Sequence, residues 1–169
     1  RAAAYGLTAV GAPAVPGLLA ALESGQEDAA AFAAFALGEL REAAAAAVPA
    51  LARLQAHAAV RVRAEAVDAL GRIGSPAEAC AAALAASLQD ESAQVRFMAG
   101  LSLSMLGTAG EPAVPALVEA LDDENRYVRA HAAEALHYIG TTRAKDALIG
   151  FLRASRWCPT TTPANLFYP

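Results

Sequence analysis

Three kinds of side chain in this sequence could do chemistry: histidine, cysteine, and an arginine–aspartate pattern that recurs. His57, His131 and His137 are candidate metal ligands. A metal site needs three or four donors held together. His131 and Glu134 are three residues apart and share a helix face, but that pair supplies only two donors. Cys80 lies in an alanine-rich helical stretch and reads as a small buried residue. With Cys158 it makes neither a disulfide framework nor a metal site, and a reducing, cytoplasmic setting is the expectation. No serine, threonine or cysteine sits in a nucleophile elbow, and the glycines are spread along the chain rather than gathered into a phosphate loop. The carboxylates cluster in turns, where solvent screens them, so none is expected to have a raised pKa. The reading is of no catalytic residue, no bound metal and no cofactor. Arg63, Arg96 and Arg129 stand 33 residues apart, and Asp90 and Asp123 each precede a Val-Arg pair by five. Such a basic row could bind phosphate, but the matched carboxylates favour a structural role.

The elements that would position these residues follow from the same spacing. Val62-Arg63, Val95-Arg96 and Val128-Arg129 each precede a leucine by eight residues, at Leu70, Leu103 and Leu136. Val15-Pro16, Val48-Pro49 and Val114-Pro115 keep that register. A fixed period of this size means a stacked solenoid rather than one globular core. Each unit reads as two helices. Proline in the first turn is tolerated because its missing N–H has no intrahelical partner there, so each proline marks a helix start. The second helix is expected to begin near Val62, Val95 and Val128, and to end at Gly74, Gly107 and Gly140. Glycine reaches the left-handed conformation of a C-terminal cap at little steric cost.

The prediction is an all-α solenoid over residues 1–153, with an extended tail over 154–169. Within it stand a truncated unit at 1–11, repeats near 12–41, 42–74, 75–107 and 108–140, and a final helix at 141–153. Tyr5 to Gly11 already reads as the end of a repeat and the chain opens on Arg1, so a piece of a longer protein is expected.

Composition agrees with close-packed helices. Hydrophobic residues make up 56%, much of it alanine, and aromatics only 6%. Alanine joins the best helix propensity to a small side chain. No apolar run reaches the roughly 20 residues that a bilayer span needs, and no basic start leads into the apolar core of a secretory leader. The net charge of −4 argues against nucleic acid as a partner.

The segment from Val114-Pro-Ala-Leu-Val-Glu-Ala-Leu-Asp-Asp-Glu to Tyr-Ile-Gly140 resembles a HEAT repeat, and more narrowly the short bacterial type named after the phycocyanobilin lyases. The resemblance covers roughly residues 1–153. Repeat one departs from it with Ala29-Ala30 in place of Val-Arg, repeat two has His57 in place of the acidic residue, and repeat three lacks the first-helix proline. The family implies right-handed stacking, second helices on the concave face, and a structural ladder of Arg63, Asp90, Arg96, Asp123 and Arg129. It implies a non-catalytic scaffold that binds a protein or peptide on the inner face. Alternatives are a bilin lyase or isomerase-like protein, and a regulatory or substrate-presenting domain fused to, or associated with, a catalytic domain. HEAT-like deoxyhypusine hydroxylases bind iron through His-Glu dyads. Here the residues following the histidines are Ala58, Ala132 and Tyr138, so that role does not transfer. HEAT-like DNA glycosylases use a basic concave face. Arg61, Arg63, Arg72, Arg96, Arg126 and Arg129 could contribute to one, but the acidic turns would repel phosphate.

Two inner rows follow: Phe32, Glu65, Met98, His131, and Tyr5, Phe35, Asp68, Leu101, Glu134. Repeat three is unusually apolar there, with Phe97, Met98, Leu101 and Met105. A solvent-facing row does not need phenylalanine and methionine, so a contact surface is expected, formed by Phe32, Phe35, Phe97, Met98, Leu101, Met105, Tyr127, His131 and Glu134. The competing reading places them in the core. The tail holds Trp157, Phe167 and Tyr168 among three prolines. It reads as an extended segment that docks its aromatics, either as a cap or in the groove, or else as a linker.

Overall fold

A computed structural model describes residues 10–156. The truncated unit at 1–11 therefore lies almost wholly outside the described residues, as do Tyr5 and the tail residues Trp157, Phe167 and Tyr168. Among the described residues there are nine α-helices and no strand: α1 Val15–Leu22, α2 Glu27–Glu39, α3 Val48–Arg53, α4 Val60–Ile73, α5 Ala77–Ser87, α6 Ala93–Met105, α7 Val114–Ala120, α8 Arg126–Ile139 and α9 Thr142–Arg156. Odd-numbered helices are the first of each pair and even-numbered helices the second. Short 3-10 turns at Arg41–Ala47 and Gly107–Ala113 lead into α3 and α7.

Local chemistry sets the ends. Pro16, Pro49 and Pro115 occupy the first turns of α1, α3 and α7. The second helices α4, α6 and α8 start two residues before Val62, Val95 and Val128, since Ala59, Ser92 and Asn125 are the last extended residues. The Asn125 side chain accepts a hydrogen bond from Tyr127 N at 2.9 Å, which caps α8. Gly74, Gly107 and Gly140 follow α4, α6 and α8 with φ of 61°, 53° and 65°. Arg41 holds the same register after α2 with φ 52°. A side chain in this left-handed region costs about 1–2 kcal/mol, because Cβ crowds the following carbonyl. Arg41→Gly is therefore expected to stabilise the protein by about 0.5–1 kcal/mol, after the greater freedom of glycine in the unfolded chain is set against the relieved strain. A rise of a few degrees in thermal midpoint would show it; a fall would mean that the Arg41 side chain contributes more than its backbone costs.

The core runs the length of the stack in two rows. Leu18, Leu51, Leu84 and Leu117 come from first helices and Leu37, Leu70, Leu103 and Leu136 from second helices, all at a spacing of 33 and all buried. Each such leucine contributes about 1.5–3 kcal/mol by leaving water.

The two layers pack unequally. Each second helix lies along the next, α2 on α4, α4 on α6 and α6 on α8, whereas successive first helices touch only lightly. Small residues permit this close approach. A Cβ built on Gly71 would stand 2.5 Å from the Ser102 Cβ, one on Gly38 3.0 Å from the Ala69 Cα, and one on Gly100 3.1 Å from the His131 Cβ. The free sides of the second helices form one face of the stack.

Candidate functional site

The acidic turns and the second-helix arginines meet between repeats. Arg63 on α4 directs Nε at Asp90 Oδ2 (2.8 Å) and Nη2 at Asp90 Oδ1 (3.0 Å) and Glu91 Oε1 (3.0 Å). Its Nη1 donates to the carbonyls of His57 and Ala58. Arg96 on α6 repeats the pose: Nε to Asp123 Oδ2 (2.7 Å), Nη2 to Asp123 Oδ1 (3.1 Å) and Glu124 Oε1 (3.3 Å), and Nη1 to the carbonyls of Asp90 and Glu91. Each aspartate also accepts a backbone N–H two residues on, from Ser92 and Asn125. Paired arginine forks of this kind are strong because both partners are charged and matched in shape. The Asp90 hydrogen bonds raise the pKa of Arg63 above its ordinary value against the opposing effect of burial, and Asp123 does the same for Arg96. Burial pushes the Asp123 carboxyl up, but the Arg96 hydrogen bonds, the Asn125 N–H and the charges of Arg96 and Arg129 outweigh it and hold it below 3.8.

A lowered carboxylate pKa stabilises the fold fully above the unfolded value of 3.8, and that stability is lost as pH falls through the folded value. Asp123→Asn is accordingly expected to cost about 1.5–3 kcal/mol at pH 7. The gap in urea midpoint between wild type and variant should close on acidification below pH 3.8; a gap of constant width would contradict the assignment.

Carboxylates engage most of the six arginines Arg61, Arg63, Arg72, Arg96, Arg126 and Arg129 that a basic face would use. Arg61 bonds Asp28 (2.5 Å), and Arg72 bonds Asp68 (2.7 Å) and Glu39. With Arg63 and Arg96, four of the six are paired with carboxylates. Arg126 lies over the Tyr127 ring and donates to its hydroxyl. Among the described residues no three His, Cys, Asp or Glu side chains gather in metal-binding geometry. The His131 Nδ1 and Glu134 Oε2 lie 2.8 Å apart. Cys80 is a fully buried thiol, and burial raises its pKa.

Along the second helices most of the candidate residues line three adjoining clefts. Phe35, Met98 and Leu101 line the first, of about 380 Å³, with Arg61, Ala64, Glu65, Asp68, Arg72 and Gln94. Phe97 and Tyr127 line the second, also about 380 Å³, with Ala93, Gln94 and Asn125. Tyr127, His131 and Glu134 line the third, of about 600 Å³, with His137 on α8 and Leu148 and Leu152 on α9. Gln94 is common to the first two and Tyr127 to the last two, so the three clefts lie side by side in a strip along the second helices. The Phe97 and His131 rings meet at 5.3 Å along it.

Phe35, Phe97 and Met98 are half-buried: each packs one side on the core and turns the other to the strip. These three residues therefore pack on the core and also border the strip. Phe32 lines none of these clefts and carries the Arg61 guanidinium over its ring at 5.0 Å. Met105, 48% exposed, also stands apart from them. Gln94, Leu148 and Leu152 also line these clefts and were not among the expected contact residues. The signal for Gln94 was its register, one period before Tyr127, and for the two leucines it was their spacing of four on an exposed part of α9.

Comparison with known proteins came to the same architecture. The family model for HEAT repeats matches residues 15–104, 49–129 and 81–157. A search of the curated proteins found no match. An engineered protein of solved structure is 24% identical, with a TM-score of 0.65 over 92% of this chain and 79% of its own. The complex of CpcE and CpcF of phycocyanin lyase from Nostoc sp. PCC7120 is 22% identical, with a TM-score of 0.66 over 90% of this chain and 94% of that one. Computationally designed armadillo repeat proteins for modular peptide recognition are 22% identical, with a TM-score of 0.64 over 88% and 77%. At these identities the likeness is one of fold.

Proposed function

The chain belongs to the HEAT-repeat family, and on that premise we propose that it is a non-catalytic scaffold that binds a protein segment or peptide along its second-helix face. One observation carries the reading: Phe35 on α2 and Met98 and Leu101 on α6 line a single cleft together with α4 residues, and two further clefts adjoin it through Gln94 and Tyr127. An extended peptide fits a strip of this form, its apolar side chains seated in the clefts and its backbone facing the polar residues between them. The designed armadillo proteins for modular peptide recognition, similar in fold, support a peptide-binding use of such a stack. Methionine suits such a role because its flexible thioether repacks around different side chains. A cytoplasmic setting belongs to the same proposal. The likeness to the phycocyanin lyase supplies a second reading, bilin handling, which a visible absorption band in the protein co-expressed with bilin would favour.

Selection from a random peptide library tests the main reading. Peptides enriched on the native chain are expected to lose at least tenfold in affinity for the Met98→Ser/Leu101→Ser variant while its helical circular dichroism stays intact. Enrichment of the same peptides on both proteins would place binding elsewhere, and unfolding of the variant would assign both side chains to the core.

A further inference from the structure

Among the described residues, the last arginine of the ladder has no partner aspartate. In two successive rungs an arginine fixes Nη1 on the carbonyls of its own turn and points its Nε–Nη2 edge at the aspartate 27 residues later. Arg129 makes the first half of this arrangement, with Nη1 bonded to the carbonyls of Asp123 (2.7 Å) and Glu124 (3.1 Å). The residue 27 positions on is Arg156, not an aspartate. Among the described residues no carboxylate forms an ion pair with Arg129. The guanidinium is thus held by two bonds in the pose that takes a carboxylate elsewhere in the same molecule, with the receiving edge unfilled by a ladder acid.

We propose that the Nε–Nη2 edge of Arg129 is a binding site for a carboxylate of an acidic peptide, of the Asp-Asp-Glu kind that this chain itself presents to Arg96. Two features make it selective for a carboxylate. The planar fork matches two oxygens at once. Its orientation is already fixed by the Asp123 and Glu124 carbonyls, so less side-chain freedom is lost on binding. The proposal is independent of the second-helix-face reading, since it concerns the turn edge of the stack.

The test is a titration of the whole chain with the tetrapeptide acetyl-Asp-Asp-Glu-Asn-amide, the sequence of its own turn at 122–125, at constant ionic strength. The arginine Nε–H signals are followed by NMR. The Arg129 signal is expected to move saturably in the millimolar range, while those of Arg63 and Arg96, already bound, stay in place. Acetyl-Asn-Asn-Gln-Asn-amide should leave all three unmoved. In Arg129→Ala the saturable response of the backbone amides around residues 126–130 should fall at least tenfold, with helicity unchanged. A stationary Arg129 signal, an equal response to the neutral peptide, or a response that survives in Arg129→Ala would each overturn the proposal.

Discussion

Arg63→Ala is expected to lower the free energy of unfolding by about 3–5 kcal/mol, because it leaves a buried carboxylate without its partner. The Arg63 and Asp90 side chains are only 5% and 10% exposed, so water cannot replace what is removed. Five hydrogen bonds are lost at once: two to Asp90, one to Glu91 and two to the carbonyls of His57 and Ala58. The same substitution at Arg129 orphans no paired carboxylate and should cost far less. Replacing both partners, as in Arg63→Met/Asp90→Leu, should recover much of the loss, since an apolar pair of similar volume removes the stranded charge. Urea unfolding followed by circular dichroism measures all three. A cost below about 1 kcal/mol for Arg63→Ala, the range of exposed ion pairs, would mean that the rung is no more than a surface contact.

Gly71→Val carries the second large effect. Gly71 lies inside α4, where glycine is otherwise a poor helix residue. Its Cα faces α6 so closely that an added Cβ would lie 2.5 Å from the Ser102 Cβ and 2.9 Å from the Ser102 Cα. The second contact is with backbone, so no rotamer change relieves it. Alanine should cost about 1–3 kcal/mol by overpacking and valine more. Ser102→Gly removes one of the two obstructions and should recover part of the loss for Gly71→Ala in a double-mutant cycle. Additive effects of the two substitutions would show that the helices are not in register at this point. Because α4 and α6 both line the first cleft, a wedge here should also weaken peptide capture while Arg41→Gly leaves it unchanged.

What repeats in the sequence was legible in it. Leu70, Leu103 and Leu136 are fully buried where the 33-residue period put them, and Gly74, Gly107 and Gly140 take the left-handed conformation. The period averages over units, so a residue type needed in every unit stands out. What occurs once does not. Arg41 occupies a glycine position, and only its backbone angle reveals the strain. Gly38, Gly71 and Gly100 look like weak points of helices until the neighbouring helix is in place. Ser102 stands where the other second helices have Ala36, Ala69 and Ala135, and its hydroxyl is buried with no partner among the described residues. The apolar character of Phe35, Met98 and Leu101 was visible along the chain. Their convergence on one cleft, with Gln94 and Tyr127 joining it to the next two, depends on how the helices stack and on the tilt of each side chain.

The chain contains two methionines, and they separate the central claim cleanly. Met98 lines the first cleft, and Met105, two turns further along α6, lies outside all three. With both methyl groups carbon-13 labelled, a peptide selected on the native chain is titrated in and the two NMR signals are followed. Binding on the second-helix strip predicts that the Met98 methyl shifts saturably with the peptide while Met105 moves little. Saturable binding that leaves Met98 in place would contradict it.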